Sequence, residues 1–376
     1  MKIELDKIST DFNGERCYVH ARGVLLPQGH AIMTMQKLEL SGCDVFYGIE
    51  MMKSTDGART FSKPAYCEKL KRRYFEDGTS CVLCDATPFY HKATGKVILT
   101  GHMAWYGADN SLLKEARERR PVYAVYDEST GDFGEMRSIE LPETEHGEYF
   151  SAGAGCTQIV ECENGDLLIP IYYKPRDAAA DPWACSAAVI MRCCFDGQTV
   201  RLLELGNKLE TDVPRGFDEP SVVCHRGQYF LALRNDETGF ATKSTDGLHY
   251  ETPRELCFDD GQSLGNYNTQ QHWLTGGGKL WLVYTRRAGN NDHVFRHRAP
   301  LFIAEFDPQA MCVVRSTERI AVPERGARLG NFGCQSYCDG EGYIFAAEWM
   351  QNGLNDWEIC ARHGSDNSIF ISKITY

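Results

Sequence analysis

Four short patterns in this 376-residue chain place chemically capable side chains at spacings that could matter, and each competes with an ordinary packing role. Cys81-x-x-Cys84 has the spacing of a redox pair or half a zinc site. It lies in an apolar run that reads as a strand, where positions i and i+3 face opposite sides, so both sulfurs are expected in the core. Cys334 and Cys338 lack a second pair at zinc-site spacing and are read the same way. His293 and His297 would share a helix face and could hold a metal there, but the preceding Gly289-Asn290-Asn291-Asp292 is loop chemistry, so a surface or substrate contact is expected instead. Gly276-Gly277-Gly278 precedes a strand, with no helix behind it, which makes it a hairpin turn and not a phosphate loop. No metal and no cofactor is expected.

The elements that must position any site are short. Gly 35 against Pro 14, many brief apolar runs and little helical periodicity indicate turn-rich all-β structure. Units that open with a polar cluster and run through successive strands begin near His20, Asp85, Gly155, Glu219, Asn268 and Phe332, at intervals of roughly 50 to 70 residues. Six such units make an all-β, six-bladed β-propeller of one domain, residues 1–376. The last unit is one strand short, and the alternating Lys2-Ile3-Glu4-Leu5-Asp6 is expected to complete it and close the ring. Asp109–Arg120, with Leu112, Leu113 and Ala116 on one side, reads as a helical insertion, and Pro175–Trp183 as a loop insertion.

The net charge of −12 speaks against nucleic acid and anionic membranes as partners, since both require a basic face. An acidic protein can still hold an anionic sugar through a local arginine cluster. The opening MKIELDKISTDFNGERCYVHARG has no apolar segment followed by a small-residue cleavage site. No apolar stretch approaches membrane-spanning length. The 16 cysteines sit largely in apolar runs, as free buried thiols would. A cytoplasmic location is expected.

Ser54-Thr55-Asp56-Gly57-Ala58-Arg59-Thr60-Phe61 resembles the Asp box of the sialidase superfamily, S-x-D-x-G-x-T-W, and Ser244-Thr245-Asp246-Gly247 resembles a shortened copy. Gly153-Ala154-Gly155 through Pro170, Asp218-Glu219-Pro220 through Arg234, and Thr87-Pro88 through Leu99 are similar to further sialidase segments in the same order. The resemblance spans most of the chain and implies the six-bladed fold.

It also implies roles. Glu219 falls at the Glu that activates the nucleophile, Arg234 at the second carboxylate-binding arginine, and Arg298 at the third, with Arg296 and Arg287 as rivals. Asp44, upstream of the first box, falls near the acid/base Asp. Two positions depart from the family. His20 stands where the first arginine belongs, with Arg22 two residues along, and Asn331-Phe332-Gly333 offers no hydroxyl where the nucleophilic Tyr would lie. Attack by water with inversion, shared among Asp44, His20 and Glu219, is the expected substitute.

The leading ends of a propeller's inner strands converge on one cup. His20, Asp85, Gln158, Glu219, Gln271 and Phe332 are therefore expected as neighbours, joined from second-strand loops by Asp44, His102, Trp105, Tyr173, Arg234, Asp236, Arg286 and Trp349. The expected function is a glycoside hydrolase releasing a terminal anionic sugar, sialic acid first, from an oligosaccharide. Alternatives are an exo-acting uronate lyase or glycosidase, in which Tyr173 and His272 gain importance, and a non-catalytic glycan-binding propeller.

Overall fold

The computed structural model describes residues 1–40, 44–113, 117–353 and 356–376. Its strands form six antiparallel sheets arranged as the blades of a propeller. Blade 1 runs Arg16–Leu25, Ala31–Glu39, Phe46–Ser54 and Ala65–Tyr66 from the axis outward. Blade 2 is led by Ser80–His91 and Lys96–Tyr106, blade 3 by Ser151–Gly153 and Leu167–Lys174, blade 4 by Asp218–His225 and Gln228–Arg234. Blade 5 begins with His272–Gly276 and Lys279–Tyr284, and blade 6 with Gly333–Cys338, Glu341–Ala347 and Ile369–Thr375. Lys2–Ile8 pairs with Ile369–Thr375 over seven residues, from Lys2 against Thr375 to Ile8 against Ile369, so the chain's two ends share the outer edge of blade 6.

Alternation within each strand turns apolar side chains onto both faces of a blade, and those faces pack against the next blade. Ile98 and Tyr123 meet Ile169 and Val189 between blades 2 and 3. Leu168 and Ile190 meet Val222 and Leu231 between blades 3 and 4, and Phe230 meets Trp273 and Leu282 between blades 4 and 5. Equivalent layers join blades 5 and 6, 6 and 1, and 1 and 2. A further cluster stands apart: Cys17, Leu38, Phe46, Val82, Tyr106, Trp349 and Cys360 form a wall at the mouth of the axis, made of inner hairpins of blades 1 and 2 and the segment after Ala347.

Two turns after third strands share one geometry. Asp56 accepts hydrogen bonds from the Arg59 and Thr60 amides, as Asp246 does from Leu248 and His249, and Ser54 and Ser244 each hydrogen-bond the aspartate two residues on. They lie between the third and fourth strands of blades 1 and 4.

The segment read as a helix is not helical among its described residues. Asp109 to Leu113 form a turn and a bridge from Leu112 to Tyr106, while Arg119 bridges to Ser151; residues 114–116 lie outside the described residues. Asp109 takes the Ser111 amide in a local turn, which competes with helix initiation. None of the fifteen described cysteines is in a disulfide. Among the described residues, no helix is long and apolar enough to cross a membrane.

Candidate active site

Five blades deliver a non-glycine residue in the left-handed region to the mouth of the axis: His20 at φ 57, Asp85 at 54, Cys156 at 56, Glu219 at 44 and Asn268 at 53. Three sit inside register shifts of an inner strand, between Val19 and Arg22, Cys84 and Thr87, and Asp218 and Ser221. A bulge puts one extra residue into the strand and re-aims its side chain. Such conformations cost of order 1–3 kcal/mol each and persist where surrounding structure enforces them, which marks this ring as built for something other than packing.

Asp85 is the centre of one half of the site. His20 Nε2 lies 3.2 Å from Asp85 Oδ1 and His102 Nε2 3.7 Å from Oδ2. The thiol of Cys156 donates to Oδ1 at 3.2 Å and that of Cys84 to Oδ2 at 3.6 Å. Burial alone would raise this carboxyl, but the permanent charge of Arg22 and the hydrogen bond from Cys156 act against it and favour the ionised form of Asp85. Burial and the nearby Arg119 push His102 down to about 3, so it is a neutral imidazole. Its Nδ1 lies 3.1 Å from the Tyr172 hydroxyl, giving a chain Tyr172–His102–Asp85. Blade 3 must come close for this: a Cβ on Gly155 would lie 2.3 Å from His102 Nδ1, so only glycine fits.

Glu219, Arg234 and Arg298 make the other half. Arg234 Nη1 contacts Glu219 Oε1 at 2.6 Å, and Nη2 contacts Asp236 at 3.2 Å. The second oxygen of Glu219 is buried with no hydrogen-bond partner. Burial raises the Glu219 carboxyl above its ordinary value despite Arg234, helped by the charges of Asp85 and Asp218. Arg298, 6% exposed, bonds only neutral amides: the backbone and side-chain oxygens of Asn268, and Asn331 Oδ1 at 3.4 Å. Burial, with Arg234 and Arg328 alongside, pushes it down to about 9. Arg328 stacks 4.3 Å above the Trp349 ring and donates to Gln351.

The structure brings together His20, Asp85, Glu219, Arg234 and Arg298. Asp44 stands at the rim, half-buried, its charge acting on His20 and its carbonyl accepting from Tyr106. Other expected residues need correction. Tyr173 is buried between blades against Tyr149, because alternation along Leu167–Lys174 turns Tyr172 to the cup instead. Arg286 forks onto Glu318 at 2.7 Å and packs over Phe302, a structural pair within blade 5. Arg22 is fully buried, its guanidinium consumed by the carbonyls of Phe332 and Ala86 and the sulfur of Cys156, so it cannot reach a substrate.

Gln158, Gln271, His272 and Phe332 plug the axis. Gln158 ties Trp273 to Cys334 across it, and Gln271 donates to the Thr269 carbonyl. His272 sits 2.8 Å from the Ser221 hydroxyl with Phe332 against its ring. Of the rival arginines, Arg296 is exposed and Arg287 lies over Tyr267. Tyr172, Asn268, Asn331, Arg328 and Cys156 were not singled out as site residues from sequence. Only the regular spacing of blade openings points to Cys156 and Asn268, since Gly155 and Asn268 fall at openings.

The chain matches no protein-family profile and no curated protein sequence. Its fold is similar to solved structures at low identity. A protein of unknown function from Dyadobacter fermentans superimposes with TM-score 0.68 at 11% identity, covering 100% of this chain and 99% of that one. The Trypanosoma rangeli sialidase gives 0.64 at 13% identity, over 100% of this chain and 60% of that one. The NanB sialidase of Streptococcus pneumoniae gives 0.64 at 11%, over 97% and 70%. The chain thus spans about 60% of the trypanosomal enzyme's length. These likenesses establish the sialidase-like propeller fold.

Proposed function

We propose that this propeller is a glycoside hydrolase that releases a terminal acidic sugar, with sialic acid the first substrate to try, by direct attack of water. The observation that carries the reading is Arg298. A buried cation with only neutral acceptors is costly unless an anion joins it, and the charges of Arg234 and Arg328 beside it raise that cost. A sugar carboxylate meets that demand at Nη1, the guanidinium nitrogen held otherwise by Asn331 at 3.4 Å.

Glu219 is the acid. Burial raises its carboxyl above the ordinary value and so favours the protonated form, and its second oxygen, buried without a partner, is the atom that would carry the proton to the leaving glycosidic oxygen. Asp85 lies two blades round the ring and faces the same cup. Water adds to the anomeric carbon as the C–O bond breaks, its proton passes to the Asp85 cluster, and the leaving oxygen takes the Glu219 proton. Asn331 and Phe332 offer no hydroxyl at the position where the resemblance puts the nucleophile, which favours direct attack by water and inversion. A uronate lyase is the second reading, favoured by the Tyr172–His102 pair, which could remove a proton beside a carboxylate held by Arg298.

A panel of sialyl- and uronate-capped oligosaccharides with neutral-capped controls separates these. Free acidic sugar from capped substrates supports hydrolysis. An unsaturated product absorbing in the ultraviolet supports the lyase. Tight binding without any product identifies a glycan-binding propeller, and indifference to acidic caps overturns the proposal.

A further inference from the structure

The donors around Asp85 are an unusual set for sugar chemistry alone. His20 Nε2, Cys84 Sγ and a carboxylate oxygen of Asp85 lie within 4.8 Å of one another. All three are at least half-buried and come from two adjacent blades. We propose that His20, Cys84 and Asp85 bind a divalent transition-metal ion of the zinc class at the mouth of the propeller axis.

Three observations support the site. The first is the tautomer of His20. Gln36 spends its amide N–H groups on the carbonyls of Tyr47 and Leu83, both at 2.8 Å, so its Oε1 is the atom facing His20 Nδ1 at 3.4 Å. Nδ1 must then carry the hydrogen, leaving the Nε2 lone pair aimed at a carboxylate oxygen 3.2 Å away. Asn331 Nδ2 donates to Nε2 at 3.0 Å, so an ion would take this lone pair in exchange for the amide. A ligating histidine held by an outer acceptor on its other nitrogen is the usual second shell of a metal site.

The second observation is the bulge. Consecutive strand residues face opposite sides, yet Cys84 and Asp85 converge because Asp85 adopts φ 54 inside the register shift. Backbone strain is thus invested in bringing sulfur and carboxylate together. The third is charge. A Cys84 thiolate and Asp85 carboxylate balance a divalent ion, while Arg22 directs its guanidinium to Cys156 and two carbonyls, touching neither ligand. Nitrogen, sulfur and oxygen together suit zinc or cobalt better than calcium or magnesium, and three protein ligands leave a coordination position open to the cup.

Ion binding stands apart from the hydrolase reading, although an ion here would sit where the attacking water is activated. The test uses cobalt(II) on the full chain, in a Cys185→Ser/Cys338→Ser background that removes the exposed thiols among the described residues. The proposal expects about one cobalt per chain by elemental analysis and a thiolate-to-cobalt charge-transfer band that zinc abolishes. Cys84→Ser should lose the band. Gln36→Ala, which touches no ligand but His20, should keep the band with affinity about 10- to 100-fold weaker. A band unchanged in Cys84→Ser, or no cobalt retained by the parent chain, overturns the site. Neither result bears on sugar release, which is read without added metal in the oligosaccharide panel.

Discussion

Replacing Arg298 with Met should make the protein more stable and useless toward acidic sugars at once. The guanidinium is 6% exposed, and burial beside Arg234 and Arg328 pushes it down from the ordinary arginine value to about 9. That displacement corresponds to about 5 kcal/mol against the charged form. The hydrogen bonds to Asn268 and Asn331 return about 1 kcal/mol each. The sign is the same at every pH below about 9, because the arginine is charged throughout that range in both folded and unfolded chains. Methionine fills much of the volume without the charge, so Arg298→Met should gain about 1–2 kcal/mol in urea unfolding. Calorimetry with a free acidic monosaccharide should show binding to the parent chain and none to the variant. A variant destabilised by more than about 2 kcal/mol that still binds the acid would refute the reasoning, since Arg298 would then be a structural cation.

Glu219→Gln should lower kcat by about 100-fold or more with KM little changed, because it removes the proton donor and not the carboxylate clamp. In the parent enzyme the alkaline fall of kcat/KM should lie above the ordinary glutamate range, since the acid form is the active one and burial raises it. Glu348, 1% exposed, is pushed up to about 7 by burial. The folded chain therefore binds a proton that the unfolded chain has lost between pH 4.5 and about 7, and stability falls as pH rises through that window. Glu348→Gln, whose carbonyl can still accept from the Asp366 and Ser368 amides, should flatten the fall by about 3 kcal/mol in denaturant titrations at pH 5 and 8. Deleting residues 1–8 should lower Tm and promote aggregation by exposing the edge of Ile369–Thr375; an unchanged melt would show that the strand is dispensable.

The six-bladed fold was legible because strand and turn chemistry recurs along the chain. The same periodicity placed His20, Asp85, Glu219 and Asn268 at blade openings, which the structure gathers at one mouth with their backbones in the left-handed region. What sequence could not give was direction. Tyr172 and Tyr173 are indistinguishable until the register of their strand is known, and one residue of parity separates cup from core. Arg22 looked like a substitute for a displaced arginine, yet its position beneath the bulge buries it among carbonyls. The strand argument that separated Cys81 from Cys84 holds for a regular strand. It fails to anticipate Cys84 meeting Asp85 because the bulge is a tertiary feature with no local signal beyond the residues themselves. Arg328 and Asn331 enter the site through the ring's closure, across some 300 residues of sequence from His20.

The central claim, that this cup takes an acidic sugar by its carboxylate, is tested most directly with one substrate in two charge states. A sialyl or uronosyl oligosaccharide and its methyl ester present the same sugar with and without the anion. Turnover of the acid is expected, with a loss of about 100-fold or more in kcat/KM for the ester, the size expected when a charge-assisted contact to arginine is removed. Equal turnover of acid and ester would contradict it, because Arg298 and its neighbours would then be holding something other than the substrate's charge.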